Sequence, residues 1–113
     1  RVFGQQGFLT IKGKTEGISR QEFEYEIPLA EAEALLAICE GGIISKQRWH
    51  ITVDQHIWEV DVFRGDNEGL IVAEIELNDV NESFSHPSWL GEEVSDDPKY
   101  FNGALSRHPF KEW

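Results

Sequence analysis

The sequence predicts an α+β fold in which antiparallel strands, each with one charged face, curl into a barrel with a polar interior. The first observation is strict alternation of charged and apolar residues in several segments, because successive side chains of a strand point to opposite faces. Short turn-forming stretches separate these segments and favour antiparallel neighbours. The third observation is a segment rich in Ala, Leu and Glu whose apolar residues recur at helical spacing.

Length and composition fit a single folded domain spanning residues 1–113. Hydrophobic residues make up 40% of the chain and aromatic residues 12%, which is typical of a globular protein. The net charge of −11 disfavours binding to nucleic acid or to anionic membranes, since both require a basic surface. No apolar run is long enough to span a membrane. We therefore expect a soluble domain without either class of partner.

The single cysteine, Cys39, lies in the apolar helical segment. We expect a buried free thiol there, which suits a reducing cytoplasm. The four histidines are scattered, and none has a second ligand at the spacing of a zinc site. The sequence therefore predicts a cytoplasmic protein without structural zinc.

Residues 1–12 are predicted to form a hairpin whose turn lies within the stretch GQQG. With the two glutamines as the turn, Arg1 stands opposite Thr10 and points to the same side as Lys12. The segment RQEFEYEI at 20–27 alternates strictly, so its acids share one face of a strand. These acids are Glu22, Glu24 and Glu26.

Pro28 stops this strand, and residues 29–40 are predicted to form the main helix, ended by two glycines. We assign it a packing role. A second hairpin is expected from 43–53 and 56–63, turning at Asp54 and Gln55. Its pairing places Arg48 opposite Asp61 and His50 opposite Glu59, with Lys46 on the Arg48 face. The reverse face carries Trp49, Ile51, Trp58, Val60 and Val62.

The segment AEIEL at 73–77 is predicted to be a strand in which Glu74 and Glu76 project together. It follows a turn at 64–69. An ordered loop held by Phe84, Trp89 and Leu90 comes next, and then a short helix at about 99–107.

A barrel closed with the charged faces inward has a lumen with both signs of charge. Basic side chains there suit phosphate oxygens, and carboxylates at i and i+2 suit Mg²⁺ or Mn²⁺, which prefer oxygen ligands. Such an ion offsets charge that develops during phosphoryl transfer to water. Metal-assisted phosphoryl transfer is the reaction that this pattern indicates.

The succession FLTIK, SRQEFEYEI, KQRW, WEVDVF, LIVAEIEL and WLGEEVSDDPKYFN resembles the CYTH family of triphosphate tunnel metalloenzymes, from Arg1 to about Leu105. This family includes inorganic triphosphatases, thiamine triphosphatases and class IV adenylate cyclases. The resemblance implies an eight-stranded antiparallel tunnel barrel with flanking helices. It also implies a triphosphate-containing substrate and, because family members often pair, a homodimer.

The resemblance assigns roles to single residues. Triphosphate-binding bases are expected at Arg1, Lys12, Lys46 and Arg48. Catalytic and metal-binding acids are expected at Glu74, Glu76 and Asp61, with further tunnel acids at Glu22 and Glu24. Arg20 matches a family position too, provided that its strand is regular from its first residue.

One hallmark of the family, an N-terminal EXEXK strand, has no match in these 113 residues. We therefore expect about two strands of the barrel to belong to a preceding segment. Without that segment, the expectation is an open or oligomer-completed barrel with little activity.

Four interpretations are compatible with the sequence. The leading one is divalent-metal-dependent hydrolysis of an inorganic or organic triphosphate. An adenylate cyclase, in which the ribose 3′-hydroxyl of ATP replaces water, is an alternative within the family. A non-catalytic module that binds triphosphates or nucleotides is the other alternative, and a structural domain with a merely solvated charged face is the least favoured.

Overall fold

The computed structural model describes residues 1–14, 16 and 20–113, and the chain divides into two compact units, Arg1–Ile43 and Ile44–Trp113. The first unit contains strands β1 (Val2–Phe3), β2 (Gln6–Lys12) and β3 (Glu22–Ile27) and helix α1 (Leu29–Ala37). The second contains β4 (Ser45–Val53), β5 (His56–Arg64), β6 (Ile71–Ile75) and α2 (Asn102–Leu105), with 3₁₀ turns at Gly65–Asn67, Pro98–Tyr100 and Phe110–Glu112.

Each unit is built on an open antiparallel sheet of three strands, in the orders β1-β2-β3 and β4-β5-β6. This confirms the α+β class. The described residues form no closed eight-stranded barrel. Within these same residues, no helix is long and apolar enough to cross a membrane.

The β1–β2 hairpin has a different register from the predicted one. Val2 pairs with Gly7 and Phe3 with Gln6, so the turn is made by Gly4 and the residue after it. Gly4 has φ +60°, a conformation that glycine adopts without steric cost, which explains why it takes the first turn position. Arg1 consequently stands opposite Phe8 and not opposite Thr10. The nitrogen of Arg1 donates to the Phe8 carbonyl, and the amide of Phe8 donates to the Arg1 carbonyl.

The faces of this hairpin are nevertheless those predicted. The register moves by two residues, and an even shift returns each side chain to its original side of the sheet. Arg1 and Lys12 therefore share a face with Thr10. The β2–β3 pairing then sets Thr10 opposite Glu24 and Lys12 opposite Glu22.

Helix α1 ends at Ala37, earlier than predicted. The amides of Ile38 and Cys39 bond carbonyls three residues back, which tightens the last turn and ends the α-helical pattern. Cys39 thus lies beyond the helix and is exposed, so the expectation of a buried thiol is wrong. The helix packs closely on β2 at Gly7, where an added Cβ would lie 2.6 Å from the Cβ of Ala32.

The β4–β5 hairpin has the predicted register, with Arg48 opposite Asp61 and His50 opposite Glu59. Asp54 takes φ 54° in the two-residue turn, a conformation that Asp tolerates better than most residues. The reverse face of this sheet is only partly covered. Trp58 is buried, whereas Trp49 on the same face is 54% exposed.

Two clusters of side chains hold the second unit together. Phe63, Leu70 and Leu105 form a buried core. On the other face, Phe84 and Trp89 each meet Trp58 edge to face at 5.7 Å, which confirms that these aromatic residues hold the long loop. The predicted C-terminal helix is divided, because Phe101 is extended (ψ 144°) and separates the Pro98–Tyr100 turn from α2.

Candidate functional site

A compact group of charged side chains lies on one face of the β4-β5-β6 sheet, and we call it the charged cluster. Its members come from neighbouring positions of all three strands, where alternation points them to the same side. They are Lys46, Arg48, Glu59, Asp61 and Glu74.

Asp61 is the centre of the charged cluster and is 1% exposed. Arg48 donates to both of its oxygens, from Nε to Oδ1 at 2.6 Å and from NH2 to Oδ2 at 2.9 Å. Lys46 donates from Nζ to Oδ2 at 2.6 Å. Planar, two-point contact of this kind is the strong form of an arginine–carboxylate interaction. One buried carboxylate therefore orients two basic side chains.

The charges of Asp61 and Arg48 are stable over the physiological pH range. Burial by itself raises the pKa of Asp61, but hydrogen bonds from Arg48 and Lys46, together with their positive charges, hold it below its usual value. The hydrogen bond to Asp61 raises the pKa of Arg48, against the opposing effect of burial. Asp61 and Arg48 therefore remain ionised.

Two further carboxylates flank Arg48. Glu59 forms an ion pair with the NH1 group of Arg48. Glu74 lies opposite Glu59 in the β5–β6 ladder, and one of its oxygens is 3.9 Å from Arg48 NH2. The side chain of Glu74 is 62% exposed, so its oxygens are accessible to a ligand.

The expected metal ligands differ in how well they suit a divalent cation. Both oxygens of Asp61 already accept short hydrogen bonds from bases, which leaves this carboxylate poorly suited to a metal. Glu74 and Glu76 are exposed, and Glu76 follows the last residue of β6. Mg²⁺ commonly uses one or two carboxylates and completes its coordination with water and substrate phosphates. The pair Glu74 and Glu76 therefore fits such an ion.

Within the described part of the chain, no three His, Cys, Asp or Glu side chains converge as a complete metal site.

The first unit has its own polar face, formed by β2 and β3. Thr10 donates to Glu24 at 2.9 Å, and Arg1 lies 3.4 Å from the same carboxylate oxygen. Arg1 and Glu24 are each nearly half exposed, so this pair contributes little to stability. Arg20 pairs with Glu22 at 3.3 Å, although its residue precedes β3. Arg1, Glu22 and Glu24 are thus gathered on one side, as predicted.

Sequence reasoning missed two features of the second unit. Glu59 is a member of the charged cluster, and its position two residues before Asp61 in a strand could have indicated this. The carboxylate of Glu82 contacts the imidazole of His56, and no motif in the loop predicts that contact.

Comparison with known proteins gives consistent results. The sequence profile of the CYTH domain matches residues 1–102. An inorganic triphosphatase of Acetivibrio thermocellus is 50% identical over 112 residues, which are 98% of this chain and 72% of the relative. An inorganic triphosphatase of Nitrosomonas europaea is 37% identical over 109 residues, 94% of this chain and 72% of the relative.

The fold is also similar to a solved structure. The crystal structure of an inorganic triphosphatase matches with a TM-score of 0.61 and 34% identity. The match covers 77% of this chain and 62% of the other, so the chain spans less than two thirds of that structure.

Proposed function

The chain belongs to the CYTH domain family, and from this premise we propose that it is a divalent-metal-dependent hydrolase of inorganic triphosphate. The reaction adds water across a phosphoanhydride bond and yields phosphate and diphosphate. Support comes from two relatives, both inorganic triphosphatases, that match nearly the whole of this chain. Because the chain covers only part of each relative, substrate and activity are proposals about the whole protein.

The observation that carries this proposal is the shared use of Asp61 by Lys46 and Arg48. A phosphate chain needs several positive groups at fixed positions, and long basic side chains lose considerable entropy when they are ordered. Here a buried carboxylate orders both bases before substrate arrives. We assign Lys46 and Arg48 to binding of the triphosphate, and we extend this role to Arg1 and Lys12 on the strength of the family resemblance.

Glu74 and Glu76 are the carboxylates that we assign to the metal ion, Mg²⁺ or Mn²⁺. When bound, the ion supplies positive charge that offsets the negative charge developing on the transferred phosphoryl group. Asp61 was expected among these ligands, but its oxygens hold the bases, and we assign it to their positioning. Glu22 and Glu24 remain proposed acids of a closed eight-stranded tunnel.

We also propose that the protein is cytoplasmic and forms a homodimer. A cytoplasmic location is supported by the low cysteine content of these residues, one in 113. A homodimer is supported by apolar side chains on the first sheet, where Ile11 and Phe23 are about half exposed. Sedimentation of the purified protein measures the oligomeric state directly.

The decisive experiment measures phosphate release from inorganic triphosphate, ATP and thiamine triphosphate with Mg²⁺ or Mn²⁺. The test variant is Glu74→Gln/Glu76→Gln. The matched control is Glu31→Gln/Glu33→Gln, which removes two exposed acids at the same sequence spacing from α1. We expect metal-dependent release from inorganic triphosphate that only the test variant loses.

Other outcomes identify the alternatives. Formation of cyclic AMP from ATP without release of phosphate would instead establish a cyclase. Binding of triphosphate without any product would establish a binding module.

A further inference from the structure

The carboxylate of Glu82 bridges two segments that adjoin the proposed metal ligands. Its Oε1 accepts a hydrogen bond of 3.0 Å from the backbone amide of Asn78, two residues after Glu76. Its Oε2 contacts the Nε2 of His56, the first residue of β5. A single side chain thereby ties the backbone behind Glu76 to the neighbouring strand.

This bridge lies where the ladder of the sheet ends. The described pairing of β5 with β6 stops at Trp58 and Ile75, so Glu76 lies beyond the last ladder position. Continuing that register would bring His56 opposite Leu77. The Glu82 bridge therefore replaces the missing strand contacts, and it restrains the chain immediately after Glu76.

The bridge lies behind the charged cluster and not within it. His56 shares a strand face with Trp58, because residues two apart in a strand point to the same side. Asp61 and Glu59 point to the opposite side. The imidazole can therefore support the metal-binding segment from the reverse face without itself reaching the substrate.

The loop that presents Glu82 is itself well fixed. The amide of Glu82 bonds the Asp79 carbonyl at 2.9 Å, and the amide of Asn81 bonds the Asp79 side chain at 2.8 Å. The carboxylate of Glu82 accepts hydrogen bonds from His56 and from the amide of Asn78, and these lower its pKa, the one from His56 most. A second contact, between Ser85 and Asp54, ties the loop to the β4–β5 turn.

We propose that His56 and Glu82 are positioning residues that hold Glu76 in place for the divalent cation. This inference rests on the proposed function for the identity of the ligand. His56 and Glu82 do not bind the ion in this proposal; they hold a residue that does. Loss of such a supporting contact typically weakens metal binding by about 10–100-fold.

The test measures binding of Mn²⁺ to the whole protein by electron paramagnetic resonance of the free ion. His56→Leu removes the imidazole contact with little change in volume, and Glu82→Ala removes the bridge from the other side. His56→Gln is the conservative variant, since its amide can donate from near the position of Nε2. Ser85→Ala is the control, because it loosens the same loop away from Asn78.

We expect His56→Leu and Glu82→Ala to weaken Mn²⁺ binding about tenfold, and His56→Gln and Ser85→Ala to bind as the unmodified protein does. The proposal would be overturned if both disruptive variants bound Mn²⁺ as tightly as the unmodified protein does, or if the unmodified protein bound no Mn²⁺. Weakening of equal size in Ser85→Ala would also overturn it.

Phosphate release by the same preparations distinguishes a failure of the proposed hydrolase function from a failure of the positioning role. If the unmodified protein releases no phosphate but its Mn²⁺ binding still depends on His56, the hydrolase assignment fails and the positioning role stands. If it releases phosphate and His56→Leu leaves Mn²⁺ binding unchanged, the positioning role fails alone.

Discussion

Asp61 and Arg48 stand directly opposite each other on β5 and β4, and two hydrogen bonds of 2.6 and 2.9 Å join their side chains. This two-point contact fixes the plane of the guanidinium group as well as its position. Lys46 reaches the same carboxylate at 2.6 Å. The geometry of both bases therefore depends on one buried acid.

Replacement of Asp61 by Asn should destabilise the protein by about 3 kcal/mol. Removing one partner of a buried ion pair leaves the other charge uncompensated, at a cost of about 3–5 kcal/mol, and partial exposure of the two bases places this case at the low end. Urea unfolding at neutral pH measures the change in the free energy of unfolding. Glu59→Gln is the control and should cost less than about 1 kcal/mol, because its side chain is 26% exposed. Equal losses in the two variants would contradict the central role of Asp61.

The contribution of Asp61 to stability should disappear in acid. Its pKa is lower in the folded protein than in the unfolded chain. A group of this kind stabilises the fold above its unfolded pKa, about 3.9 for Asp, and the contribution declines as the pH falls through the folded pKa. The difference in unfolding free energy between the unmodified protein and Asp61→Asn should therefore be constant near neutral pH and shrink below about pH 4. If this difference in unfolding free energy grew in acid, the prediction would be contradicted.

Arg48→Lys should raise the KM for inorganic triphosphate about tenfold, which corresponds to about 1.4 kcal/mol of lost binding. Lysine keeps the charge but lacks the planar fork that contacts both oxygens of Asp61, so the base loses its fixed orientation. Steady-state kinetics at saturating Mg²⁺ provide the measurement. Arg107→Lys, at an exposed position, is the matched control and should leave KM unchanged. An unaltered KM in Arg48→Lys would remove this residue from the substrate site.

Removal of divalent ions by EDTA should abolish phosphate release, and added Mg²⁺ or Mn²⁺ should restore it. The same ions should stabilise the fold, by about 2.7 kcal/mol at a concentration 100 times the Kd, because they bind the folded state. Thermal unfolding with and without Mn²⁺ measures this effect. Glu74→Gln should reduce the stabilisation. Full activity in EDTA would exclude the proposed metal requirement.

Gly7→Ala should destabilise the first unit by about 1–3 kcal/mol, the usual cost of overpacking. The added Cβ would lie 2.6 Å from that of Ala32 and 3.2 Å from the Ile27 carbonyl oxygen. Gly103→Ala in α2 is the control, since its Cβ would meet no atom within 4 Å, and alanine is favoured in helices. Thermal unfolding should show a loss of stability in the first variant only. Retained stability in Gly7→Ala would show that α1 can move away from β2.

The sequence was sufficient to predict the β4–β5 hairpin and its charged face. Strict alternation and a two-residue turn determine both register and side, which is why the Arg48–Asp61 pair could be identified in advance. The predicted position of the β1–β2 turn was wrong because the stretch GQQG allows more than one two-residue turn. The preference of Gly4 for positive φ selected between them.

Features that depend on tertiary contacts could not be predicted in this way. The end of α1 at Ala37 and the exposure of Cys39 follow from a tightened last turn, which residue preferences do not specify. The bridge from Glu82 to His56 joins residues 26 positions apart through a loop without periodicity. The hydrogen bonds that Lys46 and Arg48 donate to the oxygens of Asp61 are likewise tertiary contacts, which family position alone does not reveal.

The charged cluster contains two bases and three carboxylates, so its formal charge is −1. A polyanionic substrate thus gains no net long-range attraction from this face, and its encounter is not accelerated by electrostatic steering. Countercharge therefore has to come from a divalent ion, either bound beforehand at the proposed ligands Glu74 and Glu76 or carried by the substrate. A solution rich in free triphosphate but poor in Mg²⁺ would supply neither, because the excess triphosphate would itself take up the ion.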